Sequence, residues 1–299
     1  MAQQEKMSIF EFQNRFATEE SCQEHLFNKR WPDGFCCPRC SCKKYYLITK
    51  RRLYQCSECN YQASVTAGTS FQKTRTPLRK WFWAIFLVSN DKRGYSALSL
   101  QNTIGVSYPT AWHMLHKIRA AMSDRDQQYE LLGFVQLDDA FFGGPDGLQG
   151  RGTEKTPVYV AVSTDENGKP QFAKMEVVDV VNNDTAQKFI TKAIATGCKV
   201  TTDGYTVYPQ LKGLGYNHER VLSSEPEAEE KFHWVHTIIS NAKAFIIGTF
   251  HGLDGKHLQA YLNEFCYRFN RRYWSGQLFN RLLNACINGP VLTYAELTL

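Results

Sequence analysis

No stretch of the 299-residue chain is apolar over the ~18 residues that cross a bilayer. The start, MAQQEKMS, also has no apolar core of the kind a signal peptide carries. From these two absences we expect a soluble, cytoplasmic protein with no membrane partner. Repeats with a period of about 20 to 50 residues are missing, which excludes solenoids and propellers. Acidic residues are scarce at the front: residues 1–125 hold 9 Asp/Glu against 19 Lys/Arg, whereas the remainder holds 20 against 16. So lopsided a charge predicts that the front grips a polyanion; the alternative is a solvated basic surface. The length suffices for one large domain with appendages, or for two domains.

Cysteine, by contrast, is plentiful, and four of the ten fall in CPRC (37–40) and CSEC (56–59). Each Cys-x-x-Cys turn lets two thiolates converge from one side, so two turns close a tetrahedron around a zinc ion. Cys37, Cys40, Cys56 and Cys59 are the expected ligands of a structural Zn2+; redox thiols are the competing reading. Cys36 and Cys42 flank the first knuckle and compete for the ion. Between the knuckles runs KKYYLITKRRLYQ, a strand pair carrying Lys43, Lys44, Lys50, Arg51 and Arg52 among Tyr45, Tyr46 and Tyr54. Cations interleaved with rings suit a phosphate backbone with occasional stacking. A merely solvated ribbon hairpin is the alternative.

PLRKWFWAIFLVSNDKRG reads as an apolar helix, followed by two helices around a short break. IGVSYPTAWHML has the layout of a helix-turn-helix: Gly105 permits the turn, Ser107 caps, and Pro109 suits a first helical turn. A second helix over residues 109–122 would then offer Tyr108, Thr110, His113 and Lys117 to a major groove. An ordinary helical hairpin with Trp112, Leu115 and Ile118 in its core is the other reading.

From residue 134 the texture becomes β-rich: FVQLDDAFF, PVYVAVS, FAKMEVVDV, then the helical NDTAQKFITKAIA, then KVTTDG. This order predicts an α/β domain with a mixed sheet and flanking helices. Strand alternation puts Gln136 and Asp138 on one face and Leu137 and Asp139 on the other. Asp203 ends the fourth strand. Two aspartates from separate strands, with a third ligand, hold divalent ions for phosphoryl transfer; a salt bridge from Asp138 to a basic group of GRGTEK is the alternative. SSEPEAEEK, with Glu225, Glu227, Glu229 and Glu230, reads as a polar loop. In the helical FHWVHTIISNAKAFIIG, Trp234, Ile238, Asn241 and Phe245 form one stripe, which makes Asn241 an inward group able to offer a neutral oxygen. His236, Ser240 and Lys243 fall on the opposite, polar side. A satisfied buried Asn is the alternative role for Asn241.

Together CPRC, CSEC, YQASVTAGT, YPTAWHMLHKIRAAM, LDDAFFGG, TDGYTVY and WVHTIISNAKAFIIGTFHGLDGKHLQAYLNEFCYRFNRR resemble the bacterial insertion-sequence transposases with an N-terminal zinc ribbon and an ISXO-type DDE domain. The resemblance runs in order from about residue 8 to residue 285. It implies an RNase H-like fold, Mg2+ or Mn2+, and cutting and joining of double-stranded DNA at transposon ends and target, by a homo-oligomer associated with the nucleoid. Carried over residue by residue, Asp138 and Asp203 match the two catalytic aspartates. Asn241 matches the third position of an Asp-Asp-Asn subgroup, with Lys243 as companion; anchoring on GTFH instead sets His236 opposite the family's Glu. The implied organisation is a zinc-ribbon segment over 1–70, a helix-turn-helix region over 71–125 and a catalytic domain over 130–299. A domesticated DNA-binding protein without catalysis and a nuclease that does not join are the other functions these residues admit.

Overall fold

The computed structural model describes residues 6–143, 155–205, 207–222 and 224–298. It divides into two compact units: residues 1–125 with 273–299, and residues 126–272.

In the first unit, α1 (Ile9–Arg15) and α2 (Glu19–Arg30) each begin with a capping box, on Ser8 and Thr18. A three-stranded antiparallel sheet follows, of β1 (Tyr45–Ile48), β2 (Leu53–Cys56) and β3 (Gln62–Ala63). Phe27, Trp31, Phe35, Tyr45 and Tyr54 pack their rings together beside it, with neighbouring centroids 4.8 to 6.3 Å apart. Then come α3 (Leu78–Asn90), α4 (Ala97–Ile104) and α5 (Tyr108–Gln127). Gly105 ends α4 in the left-handed region at φ 62° and Ser107 precedes α5, so the turn has the residues expected of it. Two C-terminal helices, α9 (Leu278–Asn288) and α10 (Tyr294–Thr298), belong to this unit rather than to the catalytic domain in which the sequence reading placed them. Phe279 of α9 explains why: its ring lies 5.4 Å from Phe12, 5.6 Å from Phe16 and 6.0 Å from Phe82.

The second unit is built on a five-stranded sheet of β4 (Phe134–Phe142), β5 (Thr156–Thr164), β6 (Pro170–Val177), β7 (Lys199–Thr202) and β8 (Asn217–Arg220), in the order β6-β5-β4-β7-β8. β4, β5 and β6 are an antiparallel meander, while β7 and β8 join in parallel, which is the RNase H-like arrangement expected. The short β8 had no counterpart in the sequence reading. One face of the sheet takes α6 (Asn183–Ala193), burying Val135, Leu137, Tyr159 and Ala161 against Phe189 and Ile190. The other takes α7 (Ala228–Thr249) and α8 (Leu258–Phe269), burying Ala140, Val158, Val160 and Val162 against Val235, Ile238, Ala242 and Leu262. β5 is covered on both faces, hence its unbroken apolar run. β6 is an edge strand, and side chains occupy its outer backbone groups. Gln259 accepts from Val177 N at 2.7 Å and donates to Met175 O at 3.0 Å. Asn270 accepts from Ala173 N at 2.7 Å and donates to Ala173 O at 3.0 Å, and Arg272 donates to Gln171 O at 2.9 Å.

Candidate active site and DNA-binding elements

The sulfurs of Cys37, Cys40, Cys56 and Cys59 all lie within 4.8 Å of one another, with Cys37–Cys59 at 3.6 Å and Cys40–Cys56 at 3.5 Å. A tetrahedron with Zn–S bonds of about 2.3 Å has edges near 3.8 Å, so the four thiols fit a zinc ion. The backbone N–H of Cys59, and beyond it that of Glu58, lowers the Cys56 thiol to about 6, which favours the thiolate a metal needs. Cys36 and Cys42 stand aside: Cys36 donates to Ser41 O at 3.8 Å, and Cys42 accepts from Lys44 N at 3.3 Å.

On the hairpin between the knuckles, Lys43, Lys44, Lys50 and Arg51 are exposed, as is Tyr46. Arg52 differs, because its guanidinium pairs with Glu19 at 3.4 Å and Glu20 at 2.9 Å. On α5, Tyr108 is exposed and Thr110 half-buried, with its hydroxyl 2.9 Å from that of Ser107. Lys117 corrects the sequence reading: it is 6% exposed, its ammonium donates to Ser70 O at 3.1 Å, and burial lowers its pKa. His113 is half-buried with its ring edge-on to Tyr294 at 5.6 Å, and burial lowers its pKa too. Neither has the free surface a groove contact requires.

In the second unit, the alternation of β4 decides the site. Gln136 Oε1 accepts from the backbone N–H groups of Trp234 at 3.1 Å and Val235 at 2.9 Å, which fixes α7 over the strand. The next residue on the helix, His236, then meets the next residue on that strand face, Asp138: His236 Nε2 is 3.4 Å from Asp138 Oδ2. The other Asp138 oxygen accepts from Asp139 N at 2.8 Å. Hydrogen bonding to Asp138 raises the His236 pKa against the opposing effect of burial. Asp138, Asp139, His236, Ser240, Lys243 and Lys155 line a depression of about 550 Å3; Asp203 is not among the described residues that line it. Arg151, a basic group of GRGTEK, lies outside the described residues. Asp203 directly follows Thr202, the register partner of Leu137, so its backbone runs beside that of Asp138. Its Oδ1 accepts from Tyr205 N at 3.1 Å. Burial, then the charges of Asp139, Asp138, Tyr159 and Asp203, raise the phenol of Tyr208.

Asn241 is not in this group. It is exposed, and five residues on from His236 it is turned about 140° around α7. The expectation of an inward Asn241 is thus corrected, while His236, exposed as expected, is the one that meets Asp138. The buried stripe runs through Phe232, Val235, Ile238, Ala242 and Phe245. Anchoring it on Trp234, which is half-buried and reaches Gly168 O at 2.6 Å, rotates the face by one residue, about 100°. Glu229 and Glu230, read as loop, sit in the first turn of α7. Lys155, a basic group of GRGTEK, lines the depression with Asp138, while the anchoring role of Gln136 was missed; the polar stripe His236–Ser240–Lys243 was the available signal.

The ISXO2-like transposase domain matches residues 130–270 and a transposase zinc-ribbon domain matches residues 17–62. A protein of Halobacterium salinarum described as an uncharacterized protein in transposable element ISH50 is 24% identical over 231 residues, covering 71% of this chain and 76% of its own length. Among solved structures, the catalytic core domain of BIV integrase is similar at 14% identity and a TM-score of 0.32, over 46% of this chain and 84% of that one. The simian T-cell lymphotropic virus intasome in complex with PP2A regulatory subunit B56 gamma is similar at 12% identity and a TM-score of 0.31, over 56% and 63%. A DDE-type transposase domain binds DNA and uses divalent metal, and among the described residues no helix is long and apolar enough to cross a membrane. The chain is a transposase, a polynucleotidyl transferase that carries a transposase zinc ribbon ahead of an ISXO2-like transposase domain.

Proposed function

We propose that this transposase cuts and joins DNA at the depression beside Asp138, with Asp138, Asp203 and His236 as the metal-holding set. The reading rests on the 3.4 Å approach of His236 Nε2 to Asp138 Oδ2, and is supported by the position of Asp203 directly after Thr202, the parallel register partner of Leu137. Two carboxylates and an imidazole are a donor set that suits a divalent ion. Asp138, Asp203 and His236 would hold Mg2+ or Mn2+, which would supply activation of the attacking oxygen and charge stabilisation of the leaving one in an in-line displacement. The remaining work belongs to the chain itself. Gln136 holds α7 so that His236 faces the strand, and His236 must be neutral to offer Nε2. Lys243 and Lys155 line the same depression and balance phosphate charge. The zinc ribbon and its basic hairpin hold the duplex.

In this reading the enzyme hydrolyses a phosphodiester at the element end, and the freed 3′-hydroxyl then attacks target DNA. Because two ends are joined to one target, more than one copy of the chain acts on the DNA. Incubating purified protein with Mg2+ or Mn2+ and the DNA bordering its gene, scored on sequencing gels, tests this. Strand transfer products are expected. Binding without any metal-dependent cleavage would contradict it.

A further inference from the structure

The catalytic depression does not end at Lys243. A second, larger cleft of about 770 Å3 shares Phe141, Lys155 and Lys243 with it and continues along α7. Its character changes on the way. Phe141, Ile246, Ile247 and Phe250 contribute apolar walls, and Ile247 is 66% exposed, far more than a core residue. Lys155 and Lys243 stand where the cleft meets the depression, and among the described residues no acidic side chain lines it. A slot with mostly apolar walls, His251 and Thr156 among its lining and two lysines at its entrance suits a ligand with flat apolar faces, hydrogen-bonding edges and a negatively charged connection to the catalytic centre. An unpaired nucleotide of the bound strand is such a ligand: the base enters the slot and its flanking phosphates meet the lysines.

We propose that this cleft takes one nucleotide swung out of the duplex close to the scissile phosphate. The inference rests on the reading of the depression as the catalytic site. From His236 to Lys243 is seven residues of helix, about 10 Å at 1.5 Å per residue. A B-form strand covers that in about three nucleotides. The occupied nucleotide therefore lies within a few positions of the cut. Taking a base out of the stack frees the strand to bend toward the metal-holding residues, and a terminal base that is already poorly paired enters at the least cost.

The test uses full-length protein and duplexes of the DNA bordering the gene, with 2-aminopurine placed in turn at each position near the cut. Divalent metal is withheld, and protein is added to saturation as followed by anisotropy. One position is expected to brighten on binding as its base leaves the stack. Ile247→Asp, at an exposed position where folding is little affected, is expected to remove the brightening, and Ile247→Leu to keep it. With metal restored, Ile247→Asp slows cleavage of the paired end by about tenfold, the worth of one stacked base, and a mismatch at the bright position restores the rate. Cleavage by the unaltered protein with no bright position, or brightening that survives Ile247→Asp, overturns the nucleotide site and leaves the proposed chemistry standing. A self-association constant altered by Ile247→Asp, with fluorescence unchanged, overturns it in favour of a second copy of the chain. Absence of metal-dependent cleavage in every form overturns both readings.

Discussion

A strand sends successive side chains to opposite faces, so Asp138 looks toward α7 with Gln136, while Asp139 shares the α6 side with Leu137. Asp139 also lines the depression, but only Asp138 meets His236, so the two adjacent carboxylates should respond differently to the same change. Asp138→Asn is expected to reduce metal-dependent cleavage on the order of 10^3-fold or more, whereas Asp139→Asn leaves it within about tenfold. The same assay separates the candidates for the third position: His236→Ala should approach Asp138→Asn, while Asn241→Ala, exposed and turned away, stays near the unaltered rate. An inactive Asn241→Ala beside an active His236→Ala would return the role to Asn241. Donor chemistry adds a second expectation at this residue. Mg2+ prefers oxygen ligands, and an imidazole nitrogen shifts a site toward softer ions. Cleavage should therefore run several-fold faster in Mn2+ than in Mg2+, and His236→Glu should narrow that ratio. An equal ratio in both proteins would argue that His236 does not touch the metal.

At the scale of elements, β6 shows how an edge is closed without another strand. Its alternate residues Gln171, Ala173, Met175 and Val177 direct backbone groups outward, and Arg272, Asn270 and Gln259 occupy them. An open edge invites pairing with another chain, and these side chains block it. Asn270 is 1% exposed and its amide also reaches Asp126 at 3.1 Å and the Tyr129 hydroxyl at 2.9 Å. Asn270→Ala leaves the Ala173 N–H and C=O unpaired in a buried place, so urea unfolding should show a loss of about 2–4 kcal/mol. A loss below about 1 kcal/mol would mean that water replaces the amide. None of this was legible in the run RFNRR, where basic residues suggest a surface. What the sequence did disclose was local. The zinc knuckles follow from x-x spacing, the facing of Asp138 from a period of two, and the turn at Gly105 from glycine's access to positive φ. The face of α7 stayed ambiguous because Trp234 and Val235 anchor two overlapping stripes of similar apolarity. The burial of Lys117 depends on Ser70, far from it in sequence, and the placement of α9 on Phe12, farther still.

For the molecule as a whole, titration and charge give two further expectations. Burial, then the positive charges of Arg15 and Lys29, lowers His25 to about 4, and its Nε2 is buried without a hydrogen-bond partner among the described residues. The folded pKa lies below the free value, so the unfolded chain takes the proton first. The stability this gives is complete above pH about 6.5 and is lost as pH falls toward about 4. His25→Phe should preserve the packing against Phe16, remove an unsatisfied nitrogen, and flatten the fall in Tm between those pH values; an unchanged slope would exclude His25 as its source. Charge concentrated in residues 1–125 should appear in salt dependence, since each phosphate contact on duplex DNA contributes about 0.9 to the slope of log K against log salt. Lys43, Lys44, Lys50 and Arg51 are exposed, whereas Arg52 is engaged by Glu19 and Glu20. Replacing the first four by Ala should flatten the slope by up to about 3.6, with the loss of affinity shared by all sequences because phosphate carries no base identity. Arg52→Ala, by contrast, breaks an exposed ion pair worth at most about 1 kcal/mol and should leave the slope nearly as it was. Anisotropy titrations from about 50 to 200 mM salt distinguish the two. A quadruple variant with an unaltered slope would make the hairpin a solvated surface and move the DNA contact elsewhere on the basic front of the chain.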